Sequence, residues 1–226
     1  MTFEGYTDET IEFFMAIRFN NNREFFLENR DWYLRAVREP SLALAEALGP
    51  AVEGMDASLE RAPSRVVSRI NRDVRFSNDK SPYRDHVWMA FRKPGEERKT
   101  TLGVYFEINA EAAYFGMGYY SENRPAMNAL RRRMRTAPEE MLPLAEAGLR
   151  GFELKGEPFK RIAMPEGLPE ALVPWYRMRA FYLEREVPLR VAKTPALVDE
   201  ISAGYRRLKP LYDYIMSLKP EEVDLL

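Results

Sequence analysis

The polar and apolar positions change period three times along the chain. From Thr7 to about residue 48 apolar residues recur at three- and four-residue steps. Ile11, Phe14, Met15 and Ile17 form one stripe; Phe25, Phe26, Trp32, Tyr33, Ala36 and Val37 form a second. That spacing places each set on one side of a helix. Thr7 or Asp8 can cap the first helix, and Asn20-Asn21-Asn22 breaks it, because Asn prefers caps and turns to helix interiors. Asn21, Asn22 and Arg23 can cap the second. Pro40 is expected to kink or restart the helix, and Gly49-Pro50 to end it, with a loop over residues 50–63.

The middle of the chain alternates with period two. Arg65–Ile70 is a short β-branched run. Val87, Met89 and Phe91 alternate with His86, Trp88, Ala90 and Arg92. Leu102, Val104, Phe106 and Ile108 alternate with Thr101, Gly103, Tyr105 and Glu107, and Ala112–Tyr120 alternates again. Short turns between such runs predict an antiparallel meander. Gly116 and Gly118 interrupt the third run and point to a bulge or a close backbone approach.

Helical spacing returns at Asn123, with Met127, Leu130 and Met134 inward and the arginines of this helix mostly outward. Thr136 to Glu139 has the form of a capping box, and Gly148 stops the helix that follows. Residues 149–175 read as an irregular crossing, Met178–Val187 as one more strand. A last helix starts near Thr194-Pro195, with Leu197, Val198, Ile201, Tyr205 and Leu208 on its buried side, and is expected to be interrupted at Pro210. Helices, then strands, then helices predict an α+β fold. It is read as a single domain over 1–226: a central antiparallel sheet, N-terminal helices and a long C-terminal helix.

Composition narrows the chemistry. With 226 residues and 46% hydrophobic positions the chain can bury a substantial core. It has no Cys and one His, which removes disulfides, thiolate nucleophiles and zinc sites built on Cys or paired His. No apolar run reaches membrane-spanning length and no signal peptide opens the chain. The expected location is the cytoplasm, with no membrane partner. No metal site is predicted, and no glycine-rich phosphate loop follows a predicted strand.

The net charge is −1, but the charges are unevenly distributed. Residues 65–84 carry six cations against two acids, and residues 123–138 hold five arginines and no acid. Such patches on a near-neutral chain point to a local anionic partner.

The segment Asn71-Arg72-Asp73-Val74-Arg75-Phe76-Ser77-Asn78-Asp79-Lys80-Ser81-Pro82-Tyr83-Arg84 resembles the bacterial and fungal family called domain of unknown function 2461. The matching pieces are Arg72-Asp73, Arg75-Phe76-Ser77, Asp79-Lys80 and Pro82-Tyr83, with Arg84 where the family usually has Lys. Asn21-Asn22-Arg23 before Phe25-Phe26, the Gly116-Met117-Gly118 region, and Lys160-Arg161 before Pro165-Glu166-Gly167 extend the resemblance over most of the chain. It implies no established reaction, cofactor or catalytic residue.

The residues themselves supply the candidates. Arginine stays charged and offers a planar fork suited to phosphate and carboxylate. Arg69, Arg72, Arg75, Lys80 and Arg84 are therefore the expected ligand-binding set, for a small anion bearing phosphate or carboxylate. Asp73 and Asp79 are candidates for a general base, for orienting those cations or for holding a hard cation such as Mg²⁺. Tyr83 is a candidate hydrogen-bond donor and His86 a candidate for proton transfer near neutral pH. Two other readings compete. The same loop can join the arginines at 131, 132, 133 and 135 in a nucleic-acid-binding module. Alternatively, the charges form a structural ion network in a non-enzymatic interaction protein. Whether any reaction follows binding is left open.

Overall fold

The computed structural model describes residues 2–75, 78–96 and 101–220. Helix α1 (Asp8–Phe19) begins where the Thr7 N–H donates to Thr10 Oγ1 at 3.1 Å. Asp8 and Glu9 lie in its first turn and Arg18 in its last, matching the helix dipole. Asn22 caps α2 (Arg23–Glu28) by accepting from the Phe25 N–H at 2.9 Å.

Three segments then run on without a break: α3 (Arg30–Tyr33), a π turn (Leu34–Arg38) and α4 (Glu39–Ala47). Pro40 lies in the first turn of α4, where the α-helix restarts after the π turn without leaving the helical path. Proline has no N–H for the Ala36 carbonyl. That carbonyl, buried with Ala36, accepts instead from the Thr10 hydroxyl at 2.7 Å, so no buried acceptor is left unpaired.

The helix before Gly49-Pro50 does end there, at Ala47, but Gly49-Pro50 also opens the next one. The expected loop over 50–63 contains α5 (Gly49–Met55), with Val52 and Met55 buried. Proline is well suited to a first helical turn, where its missing N–H costs nothing. The expected strand Arg65–Ile70 is instead a short helix, α6 (Pro63–Val66), followed by a single bridge from Val67 to Met89.

Strands β1 (Val87–Phe91), β2 (Leu102–Ile108) and β3 (Ala113–Tyr119) form the predicted meander. Helices α7 (Arg124–Thr136) and α8 (Pro138–Gly148) follow. Asn123 caps α7 through the Ala126 N–H. Thr136 does not open α8; its hydroxyl donates back to the Arg132 carbonyl inside α7. The crossing over 149–175 is more ordered than its Pro and Gly content predicts. It holds β4 (Glu153–Pro158), a 3₁₀ turn (Glu170–Leu172) and most of α9 (Val173–Arg177). After β5 (Met178–Val187) and α10 (Leu189–Ala192), α11 (Ala196–Ser217) runs straight through Pro210.

The five strands are all antiparallel, in the order β1-β2-β3-β5-β4. One face is fully covered. Phe106 stacks on Tyr6, and Phe115 meets Tyr205 of α11 edge-on. The Tyr205 hydroxyl donates to the Tyr105 carbonyl at 2.9 Å, tying helix to sheet. The expected α+β architecture, with N-terminal helices and a long C-terminal helix, is the one observed. The covered face and the helices share one continuous core. Among the described residues no helix is long and apolar enough to cross a membrane.

Candidate functional site

The arginine-rich segment forms a hairpin leading into β1. Its two arms are joined by the Asn71–Tyr83 bridge, by the Arg72 N–H donating to the Pro82 carbonyl at 2.9 Å, and by the Arg84 N–H donating to the Ile70 carbonyl at 2.8 Å. Two contacts anchor it to the N-terminal helices. The Asn21 side chain accepts from the Tyr83 N–H and donates to the Tyr83 carbonyl, both at 2.9 Å. The Tyr83 ring stacks on Phe26 at 4.4 Å. Asn22 alone is therefore the cap, and Asn21 is a clamp. Tyr83, 6% exposed, is part of the core rather than a surface donor.

The cations of residues 65–84 divide into two sets. Arg65 pairs with Glu60, Arg72 with Asp79, and Arg75 holds Asp73 through two hydrogen bonds of 2.9 and 2.7 Å. The Arg75 guanidinium, helped by the Arg75 N–H, lowers the Asp73 carboxyl from 3.8 to about 2. Hydrogen bonds from Ser81, with Arg72 behind them, lower Asp79 to about 2. These carboxylates are acceptors already in use, which fits orientation of the cations better than proton abstraction. Among the described residues no three of His, Asp and Glu gather in a way that could hold a metal ion.

Arg69, Lys80 and Arg84 have no carboxylate partner among the described residues. Lys80 Nζ donates to the Val74 carbonyl at 3.0 Å, and Arg84 donates to the carbonyls of Arg69 and Asn71. Burial, and then the Arg72 charge, lower the Arg84 pKa. A guanidinium in this setting is short of negative charge. Phe76 and Ser77, also in the motif, lie outside the described residues.

His86 and Asp85 join the hairpin to the sheet. His86 Nδ1 lies 3.2 Å from Asp85 Oδ1. Asp85 also accepts from Arg18 Nε at 2.7 Å, and Arg18 continues to Glu111 at 3.1 Å. Burial pushes Asp85 up, but the hydrogen bonds from Arg18 and His86 outweigh it and hold the carboxyl low.

The 131–135 arginines do not form one outward track. Arg131 is 1% exposed and donates to the Tyr176 carbonyl and Asn128 Oδ1, both at 3.0 Å, and to the Met178 carbonyl. Its guanidinium lies 5.1 Å from the centre of the Phe159 ring. Arg133 pairs with Glu140. Arg132 and Arg135 are exposed.

The period-two reading identified the uncovered face of the sheet only as a polar face. Register places Trp88, Glu107, Tyr114 and Glu186 in one row across β1, β2, β3 and β5. The next row holds Ala90, Tyr105, Gly116, Glu184 and Glu153. Tyr105 Oη donates to Glu184 at 2.9 Å, and Lys155 Nζ donates to the same carboxylate at 2.7 Å. The Glu184 side chain is only 16% exposed. Burial raises Glu107, and the Glu184 and Asp85 charges add to it while His86 opposes it. Glu107, Tyr105 and Glu184 alternate in the sequence like any polar strand face, so only pairing across strands reveals the group.

The family model described as Conserved hypothetical protein (DUF2461) matches residues 9–214 of the chain. The protein belongs to this family. A comparison with curated proteins found no match. The matched span takes in the hairpin, all five strands and most of α11.

Proposed function

We propose that the protein binds a small ligand carrying a phosphate or carboxylate group at the arginine hairpin. The observation that carries this reading is the set of three cations, Arg69, Lys80 and Arg84, left without carboxylates among the described residues while their neighbours are neutralised in pairs. Arg72–Asp79 and Arg75–Asp73 then shape the hairpin, and the remaining cations meet the anion. Clamping by Asn21 supports the assignment, since a loop held on a rigid scaffold loses less entropy on binding. The inward turn of Arg131 counts against a continuous phosphate track on α7 and disfavours the nucleic-acid reading.

The test is a thermal-shift series with inorganic phosphate, nucleotides, sugar phosphates and dicarboxylates on the native chain and on an Arg69→Ala/Lys80→Ala double variant. Both side chains are exposed, so the variant is expected to fold. A ligand at about 100 times its Kd adds about 2.7 kcal/mol of stability. The expected result is a shift for one class of small anion that the double variant loses. Equal shifts in both proteins, or none in either, would sink the proposal and leave the hairpin as an ion network that orders the chain. A shift confined to nucleic acid and abolished by salt would instead restore the module reading.

A further inference from the structure

The uncovered sheet face differs from the hairpin in shape and in charge. Its shape comes from close strand approach at Gly116 and Gly118. A Cβ on Gly116 would lie 1.8 Å from the Leu183 carbonyl oxygen, and one on Gly118 would lie 2.3 Å from Tyr182 Cβ. These two residues point away from the covered core, opposite Phe115, Met117 and Tyr119. The β5 backbone therefore leans over the uncovered side of β3, and the sheet is concave on that side. At its β4–β5 margin a cleft of about 420 Å³ opens, lined in part by Glu153, Lys155, Glu184 and Glu186.

On this concave face rings and carboxylates interleave. The row Trp88, Glu107, Tyr114, Glu186 alternates ring and acid across four strands. Tyr105, one row further along, meets Tyr182, two rows along, edge-on at 6.4 Å. The Lys155 ammonium on this face is already engaged by Glu184 at 2.7 Å and Glu153 at 3.5 Å, and the His86 charge acts on Glu107. Glu107 and Glu186 have no hydrogen-bond or ion-pair partner among the described residues, and they flank Tyr114 on neighbouring strands. Strand spacing sets their backbones about 10 Å apart, a gap that two glutamate side chains can close on one guest lying over the ring.

We infer that the concave face binds a small organic cation, an aliphatic ammonium or guanidinium group, above Tyr114 and between Glu107 and Glu186. Charge complementarity selects this occupant. Two carboxylates outside any hydrogen bond or ion pair among the described residues, one of them partly offset by the His86 charge, repel an anion, and a neutral guest would leave them unpaired. A ring face attracts a cation within about 6 Å of its centre. Burial raises the Glu107 pKa even against the opposing His86 charge, and a bound cation offsets that cost. The inference is independent of the hairpin reading and uses none of its residues.

The test is calorimetric titration of the whole chain with agmatine and 1,5-diaminopentane, with 1,5-pentanediol as the uncharged counterpart. Glu107→Gln, Tyr114→Leu and Lys80→Ala are titrated beside the native protein. Saturable binding of the cations is expected, with the diol not bound. Glu107→Gln should weaken binding by at least about tenfold, the size expected for a lost charged hydrogen bond. Tyr114→Leu should weaken it less, and Lys80→Ala not at all. Glu107→Gln removes a charge that is costly to bury, so it is expected to fold. Absence of cation binding up to roughly 10 mM, beyond the millimolar affinities expected of a specific site, would overturn the inference. So would equal affinity for the diol, or equal weakening by Lys80→Ala.

Discussion

The hairpin and the concave sheet face carry similar numbers of charged groups and treat them in opposite ways. In the hairpin, acids lie two or seven residues from their arginines, so Arg75–Asp73 and Arg72–Asp79 close locally and in contact with water. On the sheet, Glu107 and Glu184 have neighbours from other strands, and burial rather than pairing dominates Glu107. The hairpin's two aspartates are therefore held low, to about 2, while Glu107 is pushed up. A conspicuous charge motif is thus compatible with largely satisfied charges. A plain alternating strand can hold a carboxyl that burial pushes up.

The sharpest way to break this contrast is to flatten the sheet. Gly116→Val places a side chain into the Leu183 carbonyl, and it should cost about 3 kcal/mol or more in urea unfolding. A variant of native stability would mean that the strands can part freely and that the concavity is not built in. Next in size is the clamp. Asn21→Ala loses both hydrogen bonds to the Tyr83 backbone and should cost about 2 kcal/mol. Amide exchange should rise at the N–H groups of Arg72 and Arg84. If exchange there is unchanged, the hairpin is ordered by its own ion pairs instead.

Glu107→Gln sharpens the comparison through pH. Its folded pKa is raised, so the native state bears a cost when the carboxyl is ionised. That cost is present above the folded pKa and disappears below the unfolded one, about 4.3. The variant should melt higher than the native protein at pH 7–8, with the difference vanishing near pH 4. A lower melting temperature at pH 8 would show that the ionised carboxylate is paired after all. The smallest effect belongs to the exposed pairs. Asp73 and Asp79 have lowered folded pKa values, so what they contribute is present above the ordinary carboxylate value and is lost as pH falls toward 2. Because both are exposed, Arg75→Ala should barely change the melting temperature at neutral pH, and salt should remove what change there is. A large loss in that variant would make the pair a principal tie of the hairpin.

Much of the molecule follows from local pattern. Period two over 87–91, 102–108 and 113–119 determined three strands and their inward sides, because alternation leaves one buried face. The stripe Leu197, Val198, Ile201, Tyr205, Leu208 determined the buried side of α11, with Val198 only half-buried at its edge, and the Arg72–Arg84 motif identified the family but not the hairpin. The departures from local expectation have tertiary causes. Pro40 is accommodated because Thr10, from another helix, takes the Ala36 carbonyl. Arg131 turns inward because the Tyr176 and Met178 carbonyls wait for it. β4 forms in a stretch with little strand pattern because β5 offers an edge. Pairing of Glu107, Tyr114 and Glu186 across β2, β3 and β5 joins residues up to 79 positions apart. Periodicity reports which side of its own strand a residue occupies. Only the strand order and register, imposed by packing against the helices, decide which residue it stands beside.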